Sequence, residues 1–99
     1  MKILELFLKH RWYDMIESGV KKEEYREKKE FYIKRLYDSS LLGTEDHFKH
    51  YDAVRFHKGY TNTTMTLECK GIRVGRGNPD WGAPTDKDVF IISLGKRIT

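Results

Sequence analysis

Four residues in the first third of the chain have types and spacing that could carry chemistry. Gly19, Lys21, Glu24 and Arg26 form the pattern Gly-x-Lys-x-x-Glu-x-Arg inside the densely charged run "SGVKKEEYREKK". A glycine there can end a helix and let the chain turn sharply. Lys21 then emerges just past a helix end. Its ammonium is a point charge for a phosphate or, once desolvated, a nucleophile or base. Glu24 can hold Lys21 or Arg26 in place and could serve as a general acid or base. Arg26 offers a planar fork suited to a phosphate or the edge of a nucleobase. The competing reading is a solvated run whose ion pairs contribute about 0–1 kcal/mol each.

The elements that must position these groups can be read from periodicity. "KILELFLK" alternates, with Leu4, Leu6 and Leu8 on one face, and reads as a strand. "HRWYDMIESG" places Trp12, Met15 and Ile16 on one helical face ahead of Gly19, which predicts a helix over residues 10–18. "KKEFYIKRLYDS" predicts a second helix over about residues 28–37, with an aromatic stripe through Tyr32 and Tyr37. "DSSLLGTEDHFKHYD" is turn-rich and reads as an irregular connection. "DAVRFHKG" is a short strand with Val54 and Phe56 on one side. In "TTMTLECKGIRVGRG", Met65, Leu67 and Cys69 share a face opposite Thr66, Glu68 and Lys70. The apolar parity then switches to Ile72 and Val74, which predicts a β-bulge at Gly71. "GNPDWGAP" is turn chemistry. "DVFIISLGKR" is a buried final strand.

The expected fold is α+β: a small, mostly antiparallel β-barrel of about five strands, with two helices covering one opening. Strands and helices do not alternate regularly, so a doubly wound parallel sheet is not expected.

At 99 residues the chain is expected to be one domain, residues 1–99. A chain of this size buries roughly 60–65% of its unfolded surface, enough for one core without staples. The net charge of +4 favours polyanion partners. Its distribution sharpens this, because residues 38–52 hold an acidic excess and the flanking segments are both basic. Cys69 is the only cysteine, so it has no internal disulfide partner. A reducing, cytoplasmic setting is the expectation. The N-terminal apolar run contains Glu5 and reads as a strand, not a signal peptide. No stretch approaches the roughly 18 apolar residues that cross a membrane.

The signature resembles that of the ASCH domain, a small barrel related to the PUA RNA-binding fold. The order of strand, short helix, signature, second helix and later strands is similar too, with "YDAVRFHKGY" and "VFIISLG" in the places of the family's following strands. The resemblance covers nearly the whole chain. It implies a PUA-like barrel that binds RNA or a nucleotide. Some relatives are amidohydrolases acting on acetylated cytidine, and one branch is described as a ribonuclease. Those amidohydrolases use a Lys and a Thr in this signature and a further Glu. Lys21 matches the Lys, whereas Glu24 stands where the Thr belongs.

The expected ligand-binding set is therefore Lys21, Glu24, Tyr25, Arg26, Arg73, Arg76 and Trp81. Tyr25, Tyr60 and Trp81 could stack on bases, whereas the helical spacing of Trp12 reads as core. Arg73 and Arg76 flank "RVGRGNP", whose Gly-x-Gly is too short for a dinucleotide or P-loop motif. If the protein is an enzyme, Lys21 and Glu24 are the expected catalytic residues. A non-catalytic protein-interaction domain is the other alternative. His47 and His50, beside Asp46, have i, i+3 spacing but lack further ligands, so neither a metal nor another cofactor is expected. Cys69 reads as a buried thiol.

Overall fold

The structure is a computed structural model that describes residues 1–38 and 47–99. Five strands form one sheet. They are β1 (Ile3–Leu8), β2 (Glu23–Arg26), β3 (Ala53–Lys58), β4 (Thr64–Gly75) and β5 (Val89–Arg97), in the spatial order β1-β3-β4-β5-β2. Two helices, α1 (His10–Glu17) and α2 (Glu30–Leu36), lie between β1 and β3 in the chain. The fold is thus α+β, a mixed sheet curled into a half-barrel. One feature departs from an all-antiparallel ladder: β1 pairs with β3 in parallel, from Ile3 beside Ala53 to Leu8 beside Lys58. The connection holds α1, β2 and α2, long enough for such a crossover.

The alternation in β1 does what its pattern predicts. Leu4, Leu6 and Leu8 are buried, while Phe7 stands in solvent. They meet Val54 and Phe56 of β3, Met65 and Leu67 of β4, and Phe90, Ile92 and Leu94 of β5 in one core. Tyr13 and Ile16 of α1 and Leu36 of α2 close it. The buried stripe of α1 is therefore rotated from the expected one, and Trp12 is only partly buried. β5 lies between β4 and β2. That placement explains its nearly continuous apolar run, and even Ile91 on its other face is buried.

Gly19 has φ +84, a left-handed conformation that disfavours a side chain, and its N–H closes on the Ile16 carbonyl. This stops α1. In β4 the register shifts between Leu67 and Cys69 and again between Cys69 and Gly71, so the bulge reaches the glycine whose parity switch predicts it. Thr66, expected on the solvent face, is buried, and the C-terminal Ile98 and Thr99 bond to its backbone. Helix α2 is shorter than its pattern suggests, because Tyr37 turns extended and forms an isolated bridge with Phe48. The turn-rich connection falls mainly on residues 39–46, outside the described residues. Among the described residues no helix is long and apolar enough to cross a membrane.

Candidate functional site

The charged run folds into a strand, which its hydropathy does not announce. After Gly19 the Lys21 N–H bonds back to the Met15 carbonyl, and the Lys22 carbonyl then accepts from the Leu94 N–H. The chain thereby enters an antiparallel ladder with β5, with Glu24 opposite Ile92 and Arg26 opposite Phe90. Both β5 partners belong to the core, so Glu24 and Arg26 point inward. Glu23 and Tyr25 take the other face, opposite Ser93 and Ile91.

Lys21, Glu24 and Arg26 converge. Lys21 Nζ lies 3.2 Å from Glu24 Oε1, and Arg26 Nη2 lies 2.6 Å from Glu24 Oε2. One carboxylate thus holds two cations, leaving a net positive charge on the three groups. Arg26 also donates to the Tyr32 hydroxyl at 2.8 Å and to the Phe7 carbonyl at 2.9 Å. Phe7 lies in β1 and Arg26 in β2, the two edges of the sheet, so this bond spans the open side of the half-barrel. Arg26 Nε is buried and has no partner among the described residues.

Lys21 is 2% exposed. Its ammonium donates to the Trp81 carbonyl and lies 5.2 Å from the Trp12 ring centroid and 4.7 Å from that of Tyr25. Burial pushes its pKa below the ordinary lysine value. The Glu24 carboxylate pulls the other way without cancelling that effect, and Arg26 adds to the lowering.

Tyr25 is held on both sides. Its hydroxyl donates to Glu23 at 2.8 Å and accepts from the Asn78 N–H at 3.0 Å. Burial raises its phenol to about 12; the Asn78 bond opposes the rise and Glu23 adds to it. On Glu23, burial acts upward, but bonds from Arg73 and Tyr25 outweigh it and hold the carboxyl below its usual range. The segment carrying Asn78 and Trp81 packs closely. A Cβ on Gly77 would sit 2.5 Å from the Tyr25 ring and 2.6 Å from Ala83.

A cavity of about 490 Å³ opens beside the three charges. Glu24 and Arg26 line it, with rings from Trp12, Tyr25 and Tyr32. Lys9 and Lys29, both exposed, also reach it. Lys21 does not line this cavity; it lies behind the wall, under Trp81. Trp81 contributes its carbonyl to Lys21 and is not a lining residue.

The remaining expected residues lie apart. Arg73 is exposed on β4 and bonds Glu23 and Ser93, so it touches the site only through Glu23. Arg76 bonds Asp88 and the Thr85 carbonyl, bracing its own loop. Tyr60 is fully exposed in the turn after β3. Asp46 lies outside the described residues. His47 stacks on Tyr37, and His50 pairs with Asp52 at 3.3 Å. Cys69 is partly buried, and burial raises its thiol pKa.

Sequence reasoning missed Lys9, Lys29 and Tyr32 as cavity residues and treated Trp12 as core. Tyr32 stands one turn before the buried Leu36 and packs against the core edge, so its helical spacing reads as core and hides its place in the cavity wall. Comparison of the chain with family models, curated proteins and solved structures gave no match.

Proposed function

We propose that the cavity between β1, α1, β2 and α2 binds a nucleotide, free or as part of an RNA. One observation carries the reading: an ion pair between buried Glu24 and half-buried Arg26, set in the wall of a ring-lined cavity. Trp12, Tyr25 and Tyr32 offer faces for a base, and the Nη1 N–H of Arg26 left over from the Tyr32 bond, with the Glu24 carboxylate, offers a donor and an acceptor for its edge. Lys9 supplies charge for a phosphate, and Lys29, paired with Glu27 at 3.4 Å, stands beside it. The volume of about 490 Å³ falls within the ordinary range of ligand sites. The resemblance of Gly19, Lys21, Glu24 and Arg26 to the ASCH signature supports the same ligand class. Lys21 has a positioning role here, holding Glu24 and the Trp81 segment together.

The test is a fluorescence titration of a Trp81→Phe variant, in which Trp12 is the only tryptophan. Nucleosides, nucleotides and short RNAs are titrated at several salt concentrations. Saturable quenching is expected, with nucleotides weakening as salt rises and nucleosides insensitive to it. Arg26→Lys should weaken every ligand about tenfold, as loss of one hydrogen bond from a charged donor does. Absence of quenching by the whole panel overturns the reading.

The lowered pKa of Lys21 favours a second reading, hydrolysis of an acylated nucleoside or of RNA with Lys21 as nucleophile or base. It requires the Trp81 segment to lift, because the ammonium is enclosed. Turnover that survives Lys21→Met would rule it out.

A further inference from the structure

The exposed aromatic rings are not scattered. Phe7, Phe31 and Tyr60 are 52%, 58% and 100% exposed, and every other Phe, Tyr and Trp among the described residues is buried or half-buried. All three fall on one side of the molecule. In β1 the alternation that buries Leu4, Leu6 and Leu8 leaves Glu5 and Phe7 on the outer face. The parallel register sets Arg55 beside Glu5 and His57 beside Phe7. The Phe7 and His57 rings stack at 4.5 Å, and Tyr60 lies 6.0 Å from Phe7.

Toward α2, a second cavity of about 270 Å³ is lined by Glu5, Phe7, Arg26, Phe31 and Tyr32, with Arg35. It shares Phe7, Arg26 and Tyr32 with the first cavity, so the Arg26–Tyr32 bond lies in their common wall. The Arg35 guanidinium sits 4.6 Å over the Phe31 ring. The track therefore runs from Tyr60 past Phe7 and the two cavities to Phe31, with Arg35 and Lys9 along it, and with Arg55 and Lys29 paired to Glu5 at 2.6 Å and Glu27 at 3.4 Å.

Solvent-facing rings clustered beside cavities mark a contact surface. Flat rings interleaved with guanidinium and ammonium groups complement stacked bases on a charged backbone. Building on the nucleotide reading above, we infer that the ligand is a single-stranded nucleic acid spanning several nucleotides. Neighbouring nucleotides occupy the two joined cavities, and flanking bases stack on Phe31 and on the Phe7–Tyr60 pair.

The experiment measures anisotropy of labelled oligoribonucleotides and oligodeoxyribonucleotides of increasing length, with nucleoside monophosphates as competitors. Affinity should rise with length. Phe31→Ala and Tyr60→Ala should each lower oligonucleotide affinity about tenfold, and Tyr60→Ala, whose ring lines neither cavity, should leave the monophosphate unchanged. The preferred sugar identifies the source as RNA or DNA. If the monophosphate binds and added length gives no gain, the strand proposal falls and the nucleotide reading stands. If nothing binds, both fall. A length gain undiminished in both variants places the strand elsewhere and overturns the proposal. So does a concentration-dependent dimer in sedimentation that Phe31→Ala dissolves, because the rings then serve contact between two copies of this chain.

Discussion

Glu24→Gln tests the charge arrangement directly. The substitution keeps the shape of the side chain and removes the one negative charge facing both Lys21 and Arg26. Lys21 is left charged at 1% side-chain exposure with the Trp81 carbonyl as its remaining hydrogen-bond acceptor, and Arg26 keeps Tyr32 and Phe7. Breaking a buried ion pair from one side costs about 3–5 kcal/mol. The glutamine oxygen can still accept a hydrogen bond, so about 3 kcal/mol is the expected loss. A domain of this size has about 5–15 kcal/mol to lose, so the variant folds.

The deficit must also depend on pH with a defined sign. The folded pKa of Lys21 lies below its ordinary 10.5, so between those two values the unfolded chain binds more protons, and stability rises with pH. Removing Glu24, which pulls that pKa upward, extends the window to lower pH. The gap between variant and parent is therefore wide at neutral pH, where Lys21 is charged in both. It narrows as pH climbs toward 10.5 and the buried lysine becomes neutral. Urea unfolding across a pH series reads both effects. A Glu24→Gln protein as stable as the parent at neutral pH, or a deficit that does not change with pH, refutes the reasoning.

Lys21→Met should cost less than Glu24→Gln in the same urea assay, because Glu24 keeps Arg26 at 2.6 Å and a methionine fills the apolar enclosure. Tyr25→Phe removes the bonds to Glu23 and Asn78 and should cost about 1 kcal/mol at neutral pH. It should also reduce, without abolishing, an alkaline decline in stability: a phenol raised from 10 to about 12 contributes fully below 10 and is lost as pH rises through about 12, while Tyr13 and Tyr51, also raised by burial, still decline in both proteins, which alkaline unfolding compares. Gly77→Ala forces a Cβ against Tyr25 and Ala83 and should destabilise by about 1–3 kcal/mol, with a thermal-unfolding shift and altered Trp81 fluorescence as readouts.

Much of this fold is written in local patterns. The leucines of β1, the glycine after α1, the parity switch in β4 and the apolar run of β5 each have a single physical solution, and the structure adopts it. β2 was not legible, for a specific reason. Its inward side chains are Glu24 and Arg26, which neutralise each other across the core face; a hydropathy pattern records two charges and reads solvent. The parallel pairing of β1 with β3 was hidden too, since alternation fixes which face is buried and not the direction of the neighbouring strand. At the site, the motif placed Lys21, Glu24 and Arg26 together on the page, and the coordinates bring their charged groups into contact. The part played by Trp81 was unreadable because its main chain makes the contact, and any residue supplies a carbonyl. Trp12 does pack against the core, but at its edge, because the rotation of α1 gives Tyr13 the fully buried position, and i, i+3 spacing does not show that rotation.

The bond from Arg26 to Phe7 has a mechanical consequence. Elsewhere adjacent strands are laced by repeated main-chain bonds, whereas here a guanidinium clasps the two margins of the sheet like a buckle across a gap. The same guanidinium faces both hollows. Any occupant that draws it away slackens the clasp, and one that braces it draws the margins together. On the proposed reading, occupancy would set the tension across that gap, and amide exchange along Ile3–Leu8 would register it.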